Sequence, residues 1–533
     1  HYPLCWGLGG RFYIGGSGLH LRSFVTTTKP RSSLNHNLKS VPLVLTADSG
    51  RIMTKPFPDT PTFAGFNAPI RLEGEIFDLE VVEGEIPTAL DGTWYRCGAD
   101  FYFPPLHGDD VFVNGDGVVS AFEFRDGHVD FRTRFVRTEK FVLERAARKA
   151  LFGAYRNPFS DDPSVAGKNR GTANTNIVWH GGRLLALKEA ARPVEIDPVT
   201  LETIGDWDFD ARLTSLTMTA HPKFDPSIGE MLFYGSAAKG ETTPDIVYYA
   251  ADADGRITKE IWIDPPYASM MHDFGVTKDH VIFLVMPTTS SLERMREGGP
   301  IYVWDEDLET YLGVMSRHGD GSDLRWFTGP PRFVFHILNC FSEGALVHID
   351  SAVSEIQSFP FFPDKNGRPF DPERAKARIT RWTCDLTSNS SGFVERTINP
   401  LGCELIRIDD RIALSNYTYG FIPFHDAGAR QAGDANAGFN SVGRLNVRTG
   451  EMEDSFFAGP NASVQEPQFV PRSAQAQEGD GYLLVIVNRL DQNRCDLVIL
   501  DANSLSGAPV ARIKLPVRTR AIHGNWVARA ELP

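Results

Sequence analysis

The chain has 533 residues, with 54 Lys or Arg against 68 Asp or Glu, a formal net charge of −14, 42% hydrophobic and 23% charged residues. An acidic chain with no basic stripe is a poor candidate for nucleic-acid binding, because phosphate contacts need clustered Lys and Arg. No apolar run reaches the roughly 18 residues of a membrane span, and Cys5, Cys97, Cys340, Cys384, Cys403 and Cys495 form no CxxC pair, which points away from a zinc site or disulfide framework and toward reduced thiols in a cytoplasmic setting.

Residues 1–52 differ from the rest. No acidic residue precedes Asp48, while Arg11, Arg22, Lys29, Arg31, Lys39 and Arg51 are present. Such a start can be a transit peptide. Met53 followed by Thr-Lys-Pro-Phe-Pro-Asp reads instead like a natural start, so residues 1–52 are expected to be a non-native or disordered extension and residues 53–533 a single domain.

From about Pro56 strands and turns alternate. Val118 to Phe124 leads through Arg-Asp-Gly into His128 to Val136. Ile177 to Trp179 and Leu184 to Leu187 flank His180-Gly181-Gly182, a hairpin signal. Ile246 to Ala250 and Ile257 to Ile263 follow, then Val281 to Val285, Ala345 to Ile349, Arg411 to Leu414, Leu483 to Val487, Val498 to Asp501 and Arg512 to Leu515. Helical patterns are confined to Glu139–Phe152 and a short stretch at Ser291–Glu297. Hairpins over most of the chain, without a linker, predict one closed all-β structure. A β-propeller is the economical solution, because radial repetition leaves few exposed edges.

Of the 14 histidines, most lie beside turns or in loops, as His128, His280, His107, His318 and His425 do. His221 (Thr-Ala-His-Pro-Lys), His272 (Met-Met-His-Asp-Phe), His336 (Phe-His-Ile-Leu-Asn) and His523 (Ala-Ile-His-Gly-Asn) each border an apolar run. Their spacings are too long for a local ligand pair, but inner strands of separate propeller blades converge on one axis. Taken singly, each of them is more often a satisfied core or loop residue than a ligand.

These four segments, together with Asn114-Gly115-Asp116-Gly117, Glu466-Pro467-Gln468-Phe469-Val470-Pro471-Arg472 and His523-Gly524-Asn525-Trp526, resemble the motifs of the carotenoid cleavage oxygenases, from about Pro56 to the C-terminus. The resemblance implies a seven-bladed β-propeller with a dome of loops and short helices over an iron on its axis, residues 53–533 forming one catalytic domain. It implies His221, His272, His336 and His523 as ligands of one Fe2+, with dioxygen as co-substrate. Four neutral imidazoles would leave the full charge on the metal and up to two positions open. It further implies Glu189, Glu404 and Glu466 as carboxylates that hold the imidazoles from behind. Where the family often has Glu-Phe-Pro-Arg-Ile-Asp, this chain has Glu404-Leu405-Ile406-Arg407-Ile408-Asp409, so the turn is expected to differ while Glu404 is kept.

Phe152-Gly153-Ala154-Tyr155-Arg156-Asn157-Pro158, Gly171-Thr172-Ala173-Asn174-Thr175-Asn176 and Leu187-Lys188-Glu189 are most similar to the lignostilbene-cleaving branch. That similarity implies that Tyr155 and Lys188 bind the 4-hydroxyl of a phenolic stilbene, that Thr175 sits near an open metal position, and that Phe359 is a wall for a flat aromatic substrate. On a regular strand Lys188 and Glu189 would face opposite sides, which is awkward for one shared cavity. The expected activity is oxidative cleavage of a 4-hydroxystilbene into two aromatic aldehydes. Apocarotenoid cleavage on the same iron is the alternative within the family; a calcium-dependent propeller hydrolase and a non-catalytic interaction propeller are the alternatives outside it. The oligomeric state is left open, a homodimer among the options.

Overall fold

The structure, a computed structural model, describes residues 55–426, 428 and 438–533; the extension expected over residues 1–52 lies outside them. Among the described residues, seven antiparallel sheets succeed one another along the chain. Blade 1 contains Gly92–Asp100, Asp116–Arg125 and His128–Phe135; blade 2 runs from Asn176–His180 to Thr203–Asp206, and blade 3 from Lys223–Asp225 to Ile257–Ile263. Blade 4 runs from Gly275–Val276 to Arg325–Gly329, blade 5 from Phe333–Glu343 to Val394–Gly402, blade 6 from Tyr419–Phe424 to Met452–Phe457, and blade 7 from Ala462–Val464 to Ala511–Lys514.

Two pairings shut the ring. The late strand Ala521–Ala528 pairs with Gly92–Asp100 of blade 1, and the early strand Val81–Gly84 pairs with Ala511–Lys514 of blade 7. Each end of the ring is thus completed by chain from the other end. The fold is a seven-bladed β-propeller.

Packing explains why the strands carry runs of apolar residues instead of strict alternation. A blade strand is covered on both faces, as in sheets sandwiched between two layers. In blade 7, Leu483, Val485 and Val487 pack toward blade 6 with Phe421 and Val442, while Leu484 and Ile486 pack toward blade 1 with Trp94 and Phe122. Met231 and Phe233 of blade 3 face blade 2, and Leu232 and Tyr234 face blade 4. Blades 4 and 5, 5 and 6, and 1 and 2 share three further clusters. Each of the seven junctions of the ring therefore has its own apolar core. Each fully buried Leu, Ile or Val contributes about 1.5–3 kcal/mol, so stability is spread around the ring.

Most expected strands are present, with ends moved by one to a few residues. Arg411 to Leu414 is not a strand: Asp410–Ile412 is a 3-10 turn, capped by the Asp409 side chain accepting from Arg411 N. The helix expected over Glu139–Phe152 is shorter, Glu139–Ala147. It ends because Arg148 takes a left-handed conformation (φ 56°), and the buried Glu144 carboxylate accepts from the N–H groups of Leu151 and Phe152. The second helix is Leu292–Arg296, set in an insertion of blade 4 beside the ribbon Thr288–Ser290 and Tyr302–Trp304. Asn157 ties the 150s loop to that insertion through Met295 O. Residues 63–68 and 356–376 add irregular chain of the same kind.

Candidate metal centre and adjoining aromatic site

Four blades each deliver one histidine. His221 precedes the inner strand of blade 3 and His272 that of blade 4; His336 lies in the inner strand of blade 5 and His523 in that of blade 1. Two of these strands are irregular at the histidine. The register shifts between Val334 and Ile337, around His336, and between Cys97 and Gly98, opposite His523. Bulges of this kind re-aim a side chain. All four side chains are buried, and one ring nitrogen from each falls within 4.8 Å of the others. The Nε2 atoms of His221 and His272 are 2.8 Å apart, those of His272 and His336 3.4 Å, and those of His336 and His523 3.1 Å.

The other three blades each deliver a carboxylate toward those rings. Glu466 of blade 7 accepts from His523 Nδ1 at 2.8 Å, Glu404, entering blade 6, accepts from His336 Nδ1, and Glu189, leaving blade 2, stands 3.9 Å from His272 Nδ1. The last distance is too long for a hydrogen bond. The His272 Nδ1 and one oxygen of Glu189 have no partner. Leu405, where the turn was expected to differ, has φ 56° and donates its N–H to Glu404.

A carboxylate on Nδ1 fixes that nitrogen as the N–H and leaves a bare lone pair on Nε2. Lone pairs of His336 and His523 only 3.1 Å apart repel unless a cation lies between the rings. Burial, reinforced by the neighbouring rings, holds His221 well below the usual histidine pKa, and burial lowers His272 and His523 as well. Burial also opposes charge on His336, but the Glu404 carboxylate outweighs it and raises the pKa. Burial works against ionised Glu466 too, yet His523 and Arg407 hold that carboxyl down at about 2. Four converging imidazoles, three of them facing a carboxylate, suit a transition-metal dication. A calcium site would need oxygen ligands.

Beside this cluster lies an aromatic and charged site. Phe335 stacks flat on His272 (3.8 Å between centroids, 8°), and Phe359 meets Phe335 edge-on at 4.7 Å. The expected pair is brought together: Lys188 Nζ is 5.4 Å from the centre of the Tyr155 ring, and Tyr155 Oη donates to Glu189 Oε1 at 3.5 Å. The alternation expected of a regular strand does not separate Lys188 from Glu189, because the strand stops at Leu187 and Lys188 O accepts from Ala191 N in a turn. Lys188 also donates to Val113 O at 3.3 Å. Thr175 is buried at the entrance to blade 2, and its hydroxyl donates to Asn174 Oδ1.

Sequence reasoning missed Phe335 and the group around Arg156. Arg156 donates to Tyr302 Oη at 2.5 Å and pairs with Glu241 at 3.1 Å. Phe335 had a signal, since it directly precedes His336; Tyr302 and Glu241 had none, being distant in sequence. A cavity of about 800 Å3 reaches His221, His336, His523 and Glu466 but is not bordered by Tyr155, Lys188, Thr175 or Phe359. It follows the inner strands past the histidines toward Asp225, Asn339, Arg472 and Asn525.

The family model described as RPE65, retinal pigment epithelial membrane protein, matches residues 67–528. The chain belongs to this family, that of the carotenoid cleavage oxygenases. It is 47% identical to an isoeugenol monooxygenase of Pseudomonas nitroreducens over 88% of this chain and 98% of that one. It is 45% identical to lignostilbene-alpha,beta-dioxygenase isozyme III of Sphingomonas paucimobilis over 90% and 99%. The crystal structure of the Pseudomonas brassicacearum lignostilbene dioxygenase superposes with a TM-score of 0.86 at 42% identity, covering 89% of this chain and all of that one. Within the carotenoid cleavage oxygenases, the four-histidine cluster is thus part of a shared propeller and not an isolated coincidence of side chains.

Proposed function

We propose that this chain is a non-haem iron(II) dioxygenase that cleaves the C=C double bond of a 4-hydroxystilbene, giving two aromatic aldehydes. The observation that carries the reading is the convergence of four buried imidazoles within 4.8 Å beside a buried Lys–Tyr pair. His221, His272, His336 and His523 would hold one Fe2+. Iron supplies the redox chemistry that lets dioxygen, the co-substrate, add one oxygen atom to each alkene carbon.

The protein's own groups do the rest. Tyr155 and Lys188 bind the 4-hydroxyl and stabilise its phenolate, an electrostatic contribution aimed at developing charge. Phenolate character raises electron density in the conjugated alkene. Phe335 and Phe359 flank the flat substrate next to the metal, and Thr175 borders the metal's open side. A carotenoid has no phenol for Tyr155 and Lys188 to hold.

The similarity to isoeugenol monooxygenase favours one second reading: a 4-hydroxyphenylpropene held by the same phenol grip, with a short alkyl arm in place of the second ring. The five free thiols among the described residues, all buried, fit a cytoplasmic setting.

Metal analysis and a substrate panel test the proposal. Purified protein should contain one iron per chain, and His336→Ala should lose most of it while keeping its β-sheet circular dichroism. Aerobic incubation with hydroxystilbenes, a 4-hydroxyphenylpropene and an apocarotenoid should release aldehydes from the phenols alone. Calcium in place of iron, or efficient apocarotenoid cleavage, would reverse the assignment.

A further inference from the structure

Of the three carboxylates that back the histidine cluster, one is not engaged. Glu466 and Glu404 are in hydrogen-bond contact with His523 and His336. Glu189 is 3.9 Å from His272 Nδ1. The gap leaves two buried polar atoms without partners, His272 Nδ1 and Glu189 Oε2. An unmade buried hydrogen bond is unfavourable, so something else holds Glu189 back. That something is visible: Tyr155 Oη donates to Glu189 Oε1.

A tyrosine hydroxyl has a single proton to donate. Burial, reinforced by the Glu189 charge, keeps Tyr155 protonated, its pKa well above the usual tyrosine value. It can therefore donate to Glu189 or to a phenolate oxygen beside Lys188, but not to both. Once a phenolate takes the Tyr155 proton as its hydrogen bond, Glu189 loses that donor. His272 Nδ1, itself without a partner, stands 3.9 Å from it.

We infer that Tyr155 couples substrate binding to the metal centre: docking of a phenolate transfers the Tyr155 hydrogen bond from Glu189 to the ligand, and Glu189 then closes onto His272. This rests on the proposed phenolic substrate and on the four histidines as metal ligands. A carboxylate hydrogen-bonded to Nδ1 fixes the ring tautomer and raises its basicity. His272 would bind its metal more tightly when the site is occupied, and by linkage the substrate would bind more tightly to metal-loaded protein, by the same factor. The arrangement would strengthen the metal's ligand field only when a phenolic substrate is bound.

The test uses Co2+ as a spectroscopic probe, loaded into the full-length apoprotein, with affinity read by chelator competition and the ligand field by visible absorption. Tyr155→Phe, without any ligand, should bind Co2+ about 10-fold or more tightly than wild type, the scale of such outer contacts, and should shift the absorption bands. Glu189→Gln should weaken binding, and adding Tyr155→Phe to it should change nothing further. In wild type, a 4-hydroxystilbene should reproduce the Tyr155→Phe spectrum, and its 4-methoxy analogue should not. Unchanged Co2+ affinity and spectrum in Tyr155→Phe would overturn the coupling. So would an equal effect of Tyr155→Phe in the Glu189→Gln background. If Tyr155→Phe behaves as expected but no hydroxystilbene alters the wild-type spectrum, the internal coupling stands and the substrate assignment fails.

Discussion

His523 Nδ1 donates to Glu466 Oε1 across 2.8 Å, and the other oxygen of the same carboxylate accepts from Gly524 N at 3.0 Å. Arg407 completes the clamp at 3.3 Å from Glu466. The carboxylate is anchored from three sides and fixes the ring so that Nε2 faces the cluster. Glu466→Gln keeps the shape but removes the charge, and is expected to weaken Fe2+ binding roughly 10–100-fold. Chelator competition measures this directly. Substrate affinity of the iron-saturated variant should stay near wild type; normal iron retention would show that Glu466 does not act through His523.

The phenol grip makes a sharper prediction. A site built to hydrogen-bond a substrate hydroxyl strongly disfavours an analogue lacking it, because buried polar groups are then left unpaired. Lys188, buried and among the described residues donating only to Val113 O, is such a group. A 4-methoxystilbene should be cleaved at least about 100-fold more slowly than its 4-hydroxy counterpart. Lys188→Met and Tyr155→Phe should each slow cleavage of the hydroxylated substrate. Equal steady-state rates on the two stilbenes would remove Tyr155 and Lys188 from the reaction.

Asp100 gives the protein a pH-dependent weakness away from the centre. It is buried and accepts from the N–H groups of Ile70 and Arg71, and burial raises its pKa from 3.8 to about 6. The folded state therefore holds this proton more tightly than the unfolded state. Below about pH 3.8 the group is protonated in both states and costs nothing; as pH rises from there to about 6 the unfolded chain ionises first and stability is lost. The full loss is on the order of 3 kcal/mol above pH 6. Asp100→Asn cannot ionise and keeps one acceptor. Its Tm relative to wild type should climb between pH 4 and 6.5 and then level off. A difference independent of pH would contradict the assignment.

Both closures of the ring, Val81–Gly84 on blade 7 and Ala521–Ala528 on blade 1, lie within residues 53–533. A chain starting at Met53 is expected to match the full chain in Tm, iron content and turnover. Insoluble or iron-free protein from that truncation would assign residues 1–52 to the fold.

The sequence by itself determined that the protein is built of hairpins, because turn residues recur between apolar runs and few stretches have helical period. Its family motifs also singled out the four histidines and three glutamates. Local pattern could not do more at several points. Leu483 to Val487 is apolar throughout since alternate residues feed two different blade junctions, so which neighbour each side chain meets follows only from ring closure. Arg411 to Leu414 looked like a strand, yet the Asp409 side chain caps a turn there. The adjacency of Lys188 and Glu189 suggested opposite faces, but the strand ends at Leu187, and the turn lets one approach Tyr155 while the other reaches between Tyr155 and His272. Phe335 against His272, Arg156 against Tyr302, and the 3.9 Å gap at Glu189 are relationships between residues far apart in the chain. They are set by how blades and overlying loops pack, and packing geometry is a property of the closed ring and not of any segment within it.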